Sequence, residues 1–525
     1  MIVRSRIAIG IAVAAAALAV GTTDAQIIPK QQVPLSRLKP PSSGAVCAPG
    51  RSCAEIAPQV IQSAEGPSPL AENLRYLTDT IGGRVSGSDA ADKATGWAVE
   101  AFQHAGVDEV HTEKFTIPVG WSEGKTHADV LAPARFPVRL VSTGWSPPTL
   151  EGGITANVVD LGNGDAADFA KAGATVNGAI VLVHSKILIT WDDLENEYAI
   201  APGIIARAKK AGAAAIFWMS TRPNLLLYRH SSSVDGKLED LPQAIVARED
   251  ALRIARFLAA GEPVRVHFEM PNHVTGPIES ENVLAEIRGS EKPDDFVLLG
   301  AHLDSWDLGT GALDDGCNAA MVIDVARVLR TTGSIPRRSI RFALFTGEEQ
   351  GMLGSWAYAR AHRSELDQMV AAVIFDSGDG RVTGYSLGGR GDTLTAVRDA
   401  LEPLRRLGVR DFTLDAEADT DNFDFLLEGV PTLVANQDPA NYMLNYHAFS
   451  DTYDKVDIPA LKKQVAIAAL TVYALANDEQ RVGLRQTRTQ IEKLLERTGL
   501  EQGMKTQGLW SEWSEGERGR AVGEP

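Results

Sequence analysis

Apolar residues along this chain change their spacing several times, and each change marks an element or a border. Leu70, Leu74, Leu77 and Ile81 recur at helical intervals until Gly82-Gly83 ends the run. A second amphipathic helix is predicted over Ala91 to Gly106, followed by a strand over His111 to Val119. Between about residues 135 and 275 the runs shorten. Asn157-Val158-Val159-Asp160-Leu161 and Gly178-Ala179-Ile180-Val181-Leu182-Val183 are brief apolar strands closed by turns, and a helix over Ile204 to Gly212 leads into a strand over Ala213 to Trp218. From Glu281 the longer units return. Strands are predicted over Asn282 to Ile287, Phe296 to Ala301, Ile340 to Phe345, Ala371 to Phe375 and Thr432 to Ala435, and helices over Asn318 to Thr331, Gly354 to His362 and Pro459 to Asn477.

Strands that alternate with helices predict an α/β fold: a mainly parallel mixed sheet covered by helices on both faces, with a smaller domain inserted. The catalytic domain is expected over residues 66–134 and 276–480, the insertion over 135–275. Residues 26–65, rich in Pro, Ser and Gln, read as an extended leader, and 481–525 as a charged tail, largely disordered except for a helix around Ile491 to Leu495. Functional side chains in such sheets gather at the carboxyl ends of strands, and His302, Glu348 and Asp376 each fall just past one.

Composition narrows the function. The length of 525 residues and 44 % hydrophobic content suit two domains. With 51 basic against 68 acidic residues, the net charge of −17 opposes binding to nucleic acid or anionic lipid. Residues 1–25 carry Arg4 and Arg6, a 14-residue apolar run from Ile7 to Val20, and Thr23-Asp24-Ala25 as a small-residue cleavage pattern. That is the pattern of a signal peptide. The run is shorter than the roughly 20 residues of a membrane span, so the expected product is secreted or periplasmic and has no membrane span after signal removal, with an uncleaved anchor as the alternative. Among three cysteines, Cys47 and Cys53 flank a turn-rich spacer that suits a local disulfide, and Cys317 is left unpaired.

The candidate chemistry lies in three clusters. His302 and Asp304 share side-chain parity at a strand end, so Asp304 is placed to orient the imidazole of His302. Asp314 and Asp315 sit in a glycine-rich loop before a helix. Two adjacent carboxylates repel each other unless cations neutralise them, so one can bridge two metals while the other orients the loop. Glu348-Glu349 follows Phe342-Ala-Leu-Phe, where one carboxylate can bind metal and its neighbour act as general base. Asp376 closes an apolar strand, as a cap or as a ligand, and His447 in a loop-like segment offers a second imidazole.

The order His302, Asp314, Glu348-Glu349, Asp376, His447, with intervals of 12, 34, 1, 27 and 71 residues, resembles the M28 family of zinc aminopeptidases and carboxypeptidases. With its leader and insertion, the chain is most similar to the plasma glutamate carboxypeptidase (carboxypeptidase Q) branch, and the 135–275 block resembles a protease-associated domain. The resemblance implies two Zn2+ ions, with Asp314 bridging, His302 and Asp376 on one ion, and Glu349 and His447 on the other. It implies Glu348 as general base to a zinc-bound hydroxide that cleaves terminal bonds of dipeptides or short peptides. A cis peptide at Asp314-Asp315, a substrate contact by Tyr446 and a possible homodimer follow from the same source. A non-catalytic receptor-like protein of this architecture and a glutaminyl cyclase are the alternatives. Which peptide end is attacked stays open, with Arg381 and Arg390 as candidates to pair with a free carboxylate.

Overall fold

The computed structural model describes residues 51–231 and 233–523. Its main sheet has eight strands in the spatial order Glu109–Ile117, Ile278–Ile287, Arg338–Phe345, Lys292–His302, Met369–Ile374, Thr432–Gln437, Val382–Ser386 and Asp411–Thr413. The four central strands run parallel, and the strand next to them on each side joins antiparallel. Strand alternation divides the side chains between two helical layers. Val297, Leu299 and Ala301 join a core with the helices Cys53–Glu65, Asp89–Ala105, Cys317–Thr331 and Ile458–Asn477, while Phe296 and Leu298 face Tyr358, Ala359 and Phe425 on the other side. Ile458–Asn477 is the one helix among the described residues long and apolar enough to cross a membrane, and it is instead mostly buried here.

A second eight-stranded sheet is built entirely from residues 127–269, so the expected border of 135–275 shifts toward the N-terminus at both ends. It too belongs to one compact unit with the main sheet. A short ribbon, Gly120–Ser122 paired with His273–Thr275, joins the two where the chain passes between them.

Two terminal expectations are corrected. Within the supposed leader, Cys53–Glu65 is a helix that packs against Ile458–Asn477. Ser52 and Glu55 form a capping box at its start, a device worth about 1 kcal/mol, and it buries Ile56, Ala57 and Val60. The predicted signal peptide lies outside the described residues. At the other end, the tail folds into the helices Arg488–Thr498, Leu500–Gln507 and Trp510–Glu515, whose Ile491, Leu494, Met504 and Trp513 pack on Phe423 and Leu427.

The disulfide expectation reaches outside the described residues at Cys47. Its other end, Cys53, is a buried free thiol whose Sγ lies 3.7 Å from the carbonyl oxygen of Leu470, and burial pushes its pKa up to about 12. Cys317 is likewise free and buried.

Candidate metal centre

Three adjacent parallel strands deliver most of the site. His302 is the last residue of Lys292–His302, Glu348 and Glu349 follow Phe345 at the end of the neighbouring strand, and Asp376 follows Ile374 on the other side. The loop that opens helix Cys317–Thr331 adds Asp314, and a loop from the far end of the chain adds His447.

The geometry centres on Asp314. Its Oδ1 lies 3.1 Å from His302 Nε2, which is also 3.3 Å from Asp376 Oδ1. Its Oδ2 lies 3.1 Å from His447 Nε2, which is 2.9 Å from Glu349 Oε2. Each oxygen of one carboxylate therefore faces a different imidazole, and each imidazole has a further carboxylate beside it. Donors bound about 2.0–2.1 Å from a tetrahedral zinc stand roughly 3.3 Å from one another, so these spacings fit a pair of cations. Asp315 is also near His302 and Asp376. Its oxygens, however, accept the backbone N–H of His302 and the side-chain amide of Asn318, which makes it the loop-orienting member of the pair. The Asp314-Asp315 peptide is cis.

The electrostatics agree with a cationic occupant. Asp314, Asp315, Glu348, Glu349 and Asp376 crowd around two imidazoles. Burial, with Asp376 and Glu349 nearby, pushes the Glu348 carboxyl well above its usual range, and burial beside Asp314 brings Glu349 up to about 7. Burial alone would lower His302 and His447, but the surrounding carboxylates raise His302 well above its usual value and His447 to about 9. Asp314 is held below its ordinary range, since its two histidines outweigh its burial. Asp314 Oδ2, Glu349 Oε1 and His447 Nδ1 are buried without a well-formed hydrogen bond. Clustered carboxylates that can ionise together only beside positive charge are the mark of a cation site.

Asp304 lies beside the His302 ring and also holds the glutamate loop. Nδ1 of His302 is 3.0 Å from the backbone carbonyl oxygen of Asp304 and 3.7 Å from its carboxylate. The same carboxylate accepts the Ser86 hydroxyl at 3.0 Å and the Glu348 N–H at 3.3 Å, while Ser86 Oγ accepts the Gly347 N–H at 2.7 Å. The loop bearing both glutamates is thus hung from Asp304 and Ser86. Asp451 does the same for the aspartate loop, accepting the N–H groups of Leu313 at 2.7 Å and Asp314 at 3.2 Å. Gly309 lets these segments close together, because a Cβ there would stand 2.6 Å from the Ala448 carbonyl oxygen.

Sequence reasoning missed the part that the second sheet plays. His447 has a φ of 59°, a left-handed conformation uncommon outside glycine, and segment 222–230 braces it. Arg229 N–H donates to the His447 carbonyl at 2.9 Å, Arg222 Nη2 donates to the Tyr446 carbonyl at 3.1 Å, and Tyr228 bridges to Ala448. The helix Trp191–Ala211 brings the Tyr198 hydroxyl to 2.7 Å from that of Tyr446, whose ring stacks on His447 at 3.6 Å. Asp421 was missed as well: it is buried beside Asp376, and burial pushes its carboxyl up to about 8. Neither arginine named for a substrate carboxylate stands free for one. Arg390 is buried, holding Asp392 and the carbonyls of Gly429 and Leu484, and Arg381 pairs with Asp438 at 2.9 Å.

Residues 282–472 match peptidase family M28. The chain is 28 % identical to mouse carboxypeptidase Q over 411 residues, which is 78 % of this chain and 86 % of the relative. A solved peptidase M28 precursor from Shewanella amazonensis superposes with a TM-score of 0.76 at 29 % identity, covering 83 % of this chain and 99 % of that one. A zinc aminopeptidase from Bacillus subtilis shares the fold, with a TM-score of 0.61 at 22 % identity over 77 % of this chain and 93 % of the other. Taken with the histidine and carboxylate site at the strand ends, these matches identify a peptidase family M28 domain over residues 282–472 and support a metallo-exopeptidase.

Proposed function

We propose that this protein is a secreted or periplasmic two-zinc exopeptidase acting on dipeptides or short peptides. The observation that carries the reading is the division of Asp314, one oxygen facing His302 and the other His447. His302, Asp314 and Asp376 would hold one ion, and Asp314, Glu349 and His447 the other. Bound zinc would polarise the scissile carbonyl and make water acidic enough to attack near neutral pH.

Glu348 takes the proton from the attacking water and returns it to the leaving amine. Its backbone is fixed to Asp304, and its carboxyl belongs to the buried acidic cluster. Tyr446, held by Tyr198, borders the site where the substrate carbonyl would lie. The helix Trp191–Ala211 leans over the same rim, with Trp191 5.6 Å from Tyr442 ring to ring. Such a narrowed approach favours chain ends over internal bonds. The likeness to carboxypeptidase Q over most of that protein's length favours release of the carboxy-terminal residue. The N-terminal apolar run of the sequence supports export.

Two measurements test the reading. Elemental analysis should find that Asp314→Ala loses two zinc ions relative to wild type, whereas Asp376→Ala loses one. A receptor-like protein would lose none from either, and a one-zinc cyclase no more than one. Free and end-blocked dipeptides then identify the end attacked; cleavage only within long, doubly blocked peptides would overturn the exopeptidase reading.

A further inference from the structure

We propose a second metal site, for a divalent cation of zinc's class, on the outer face of the second sheet. The strands His127–Ala132 and Arg265–Glu269 pair antiparallel there, with His127 opposite Glu269 and His267 opposite Asp129. Ala128, Val130, Val266 and Phe268 point into the core between them, so strand alternation turns His127, His267 and Glu269 together toward the outside.

The three donors converge. Ligand atoms of His127, His267 and Glu269 all lie within 4.8 Å of one another, and His127 Nε2 is 3.5 Å from Glu269 Oε2. The two rings stand edge to face with centroids 6.3 Å apart. Each imidazole also has the kind of partner that fixes a metal ligand. Nδ1 of His127 lies 3.3 Å from the carbonyl oxygen of Lys125, and Nδ1 of His267 lies 2.9 Å from Thr155 Oγ1. A ring N–H held by an oxygen sets the tautomer and leaves the opposite nitrogen's lone pair for a cation. Two imidazoles and one carboxylate match zinc's preference for nitrogen and oxygen, and the partial exposure of all three leaves room for water at the remaining position.

The position gives the site a purpose. His127 opens the first strand of the second sheet and Glu269 closes its last-in-sequence strand. A cation held there would clamp together the segments by which the chain enters and leaves the second sheet. It uses no residue of the catalytic cluster.

The test compares full-length wild type with a His127→Ala/His267→Ala double variant, both equilibrated with zinc, desalted and analysed for metal. Wild type should retain one more zinc per chain than the double variant, whatever the catalytic centre holds, and both should hydrolyse peptide at the same rate. Equal zinc contents would overturn the site. Glu269→Gln keeps both imidazoles and should weaken zinc binding at this site at least tenfold by titration; unchanged affinity would overturn the three-donor arrangement.

Discussion

The hydroxyl groups of Tyr198 and Tyr446 lie 2.7 Å apart although 248 residues separate them in sequence. One sits on a helix of the inserted segment and the other immediately precedes His447, so this contact ties the second sheet to the rim of the metal centre. A hydrogen bond of this kind contributes about 1 kcal/mol net. Tyr198→Phe should therefore lower kcat/KM about fivefold, leave zinc content at the wild-type value and preserve the fold. Steady-state kinetics with metal analysis checks this, and unchanged kinetics would remove Tyr198 from the positioning of Tyr446.

Glu348→Gln separates proton transfer from metal binding. The amide keeps the shape of the side chain and leaves the N–H bond to Asp304 intact, since that bond uses only backbone of residue 348. Loss of a general base typically costs about 10²–10⁴ in rate. The variant should hold as much zinc as wild type and lose turnover by a factor in that range. Near wild-type activity would assign the base to another group, with Asp421, a buried carboxyl that acts on Glu348 electrostatically, the first to test.

Much of this site was legible because its chemistry sits at the ends of simple patterns. The apolar runs before His302, Glu348 and Asp376 are buried parallel strands, and a parallel sheet must present its loops at the carboxyl ends. Tyr198 was not legible, because the stretch around it, with Asp192, Asp193, Glu195 and Glu197, reads as an ordinary solvated helix face. Only tertiary contact gives it a role. The Pro, Ser and Gln content of residues 26–65 points to an extended leader, and Pro58 inside Cys53–Glu65 removes a backbone donor, yet packing on Ile458–Asn477 outweighs that cost. The tail misled in the opposite way: its charges dominate the composition, while the few apolar residues recur at helical spacing and are buried.

Arg518 turns that tail into part of the fold. Its guanidinium is fully buried and grips Asp424 in a fork, Nε to Oδ1 at 2.7 Å and Nη2 to Oδ2 at 3.0 Å, while Nη2 also donates to the Gly351 carbonyl at 3.1 Å. Removing one partner strands the other charge in the interior, at a cost of about 3–5 kcal/mol. Arg518→Ala should lower the denaturation midpoint accordingly, and truncation before residue 488 should do at least as much. The double variant with Asp424→Ala should lose less than the sum of the two single losses. Strict additivity, measured by denaturant unfolding, would show that the pair does not act as a unit.

Glu239 gives the second sheet a pH dependence of its own. Burial, reinforced by the charge of Asp240, pushes its carboxyl up to about 7 from an ordinary 4.5. Between those two values the folded chain keeps a proton that the unfolded chain has released, and stability therefore falls as pH rises through that window and stays lower above it. Glu239→Gln removes the titration while retaining the shape. The variant should match wild type near pH 4, pull ahead as pH climbs past 5, and hold a constant advantage above pH 8. Subtracting the two thermal unfolding profiles isolates this group from the other buried carboxyls, which are common to both proteins. A difference that is flat from pH 4 to pH 9 would mean that Glu239 titrates alike in the folded and unfolded chains and contributes no slope.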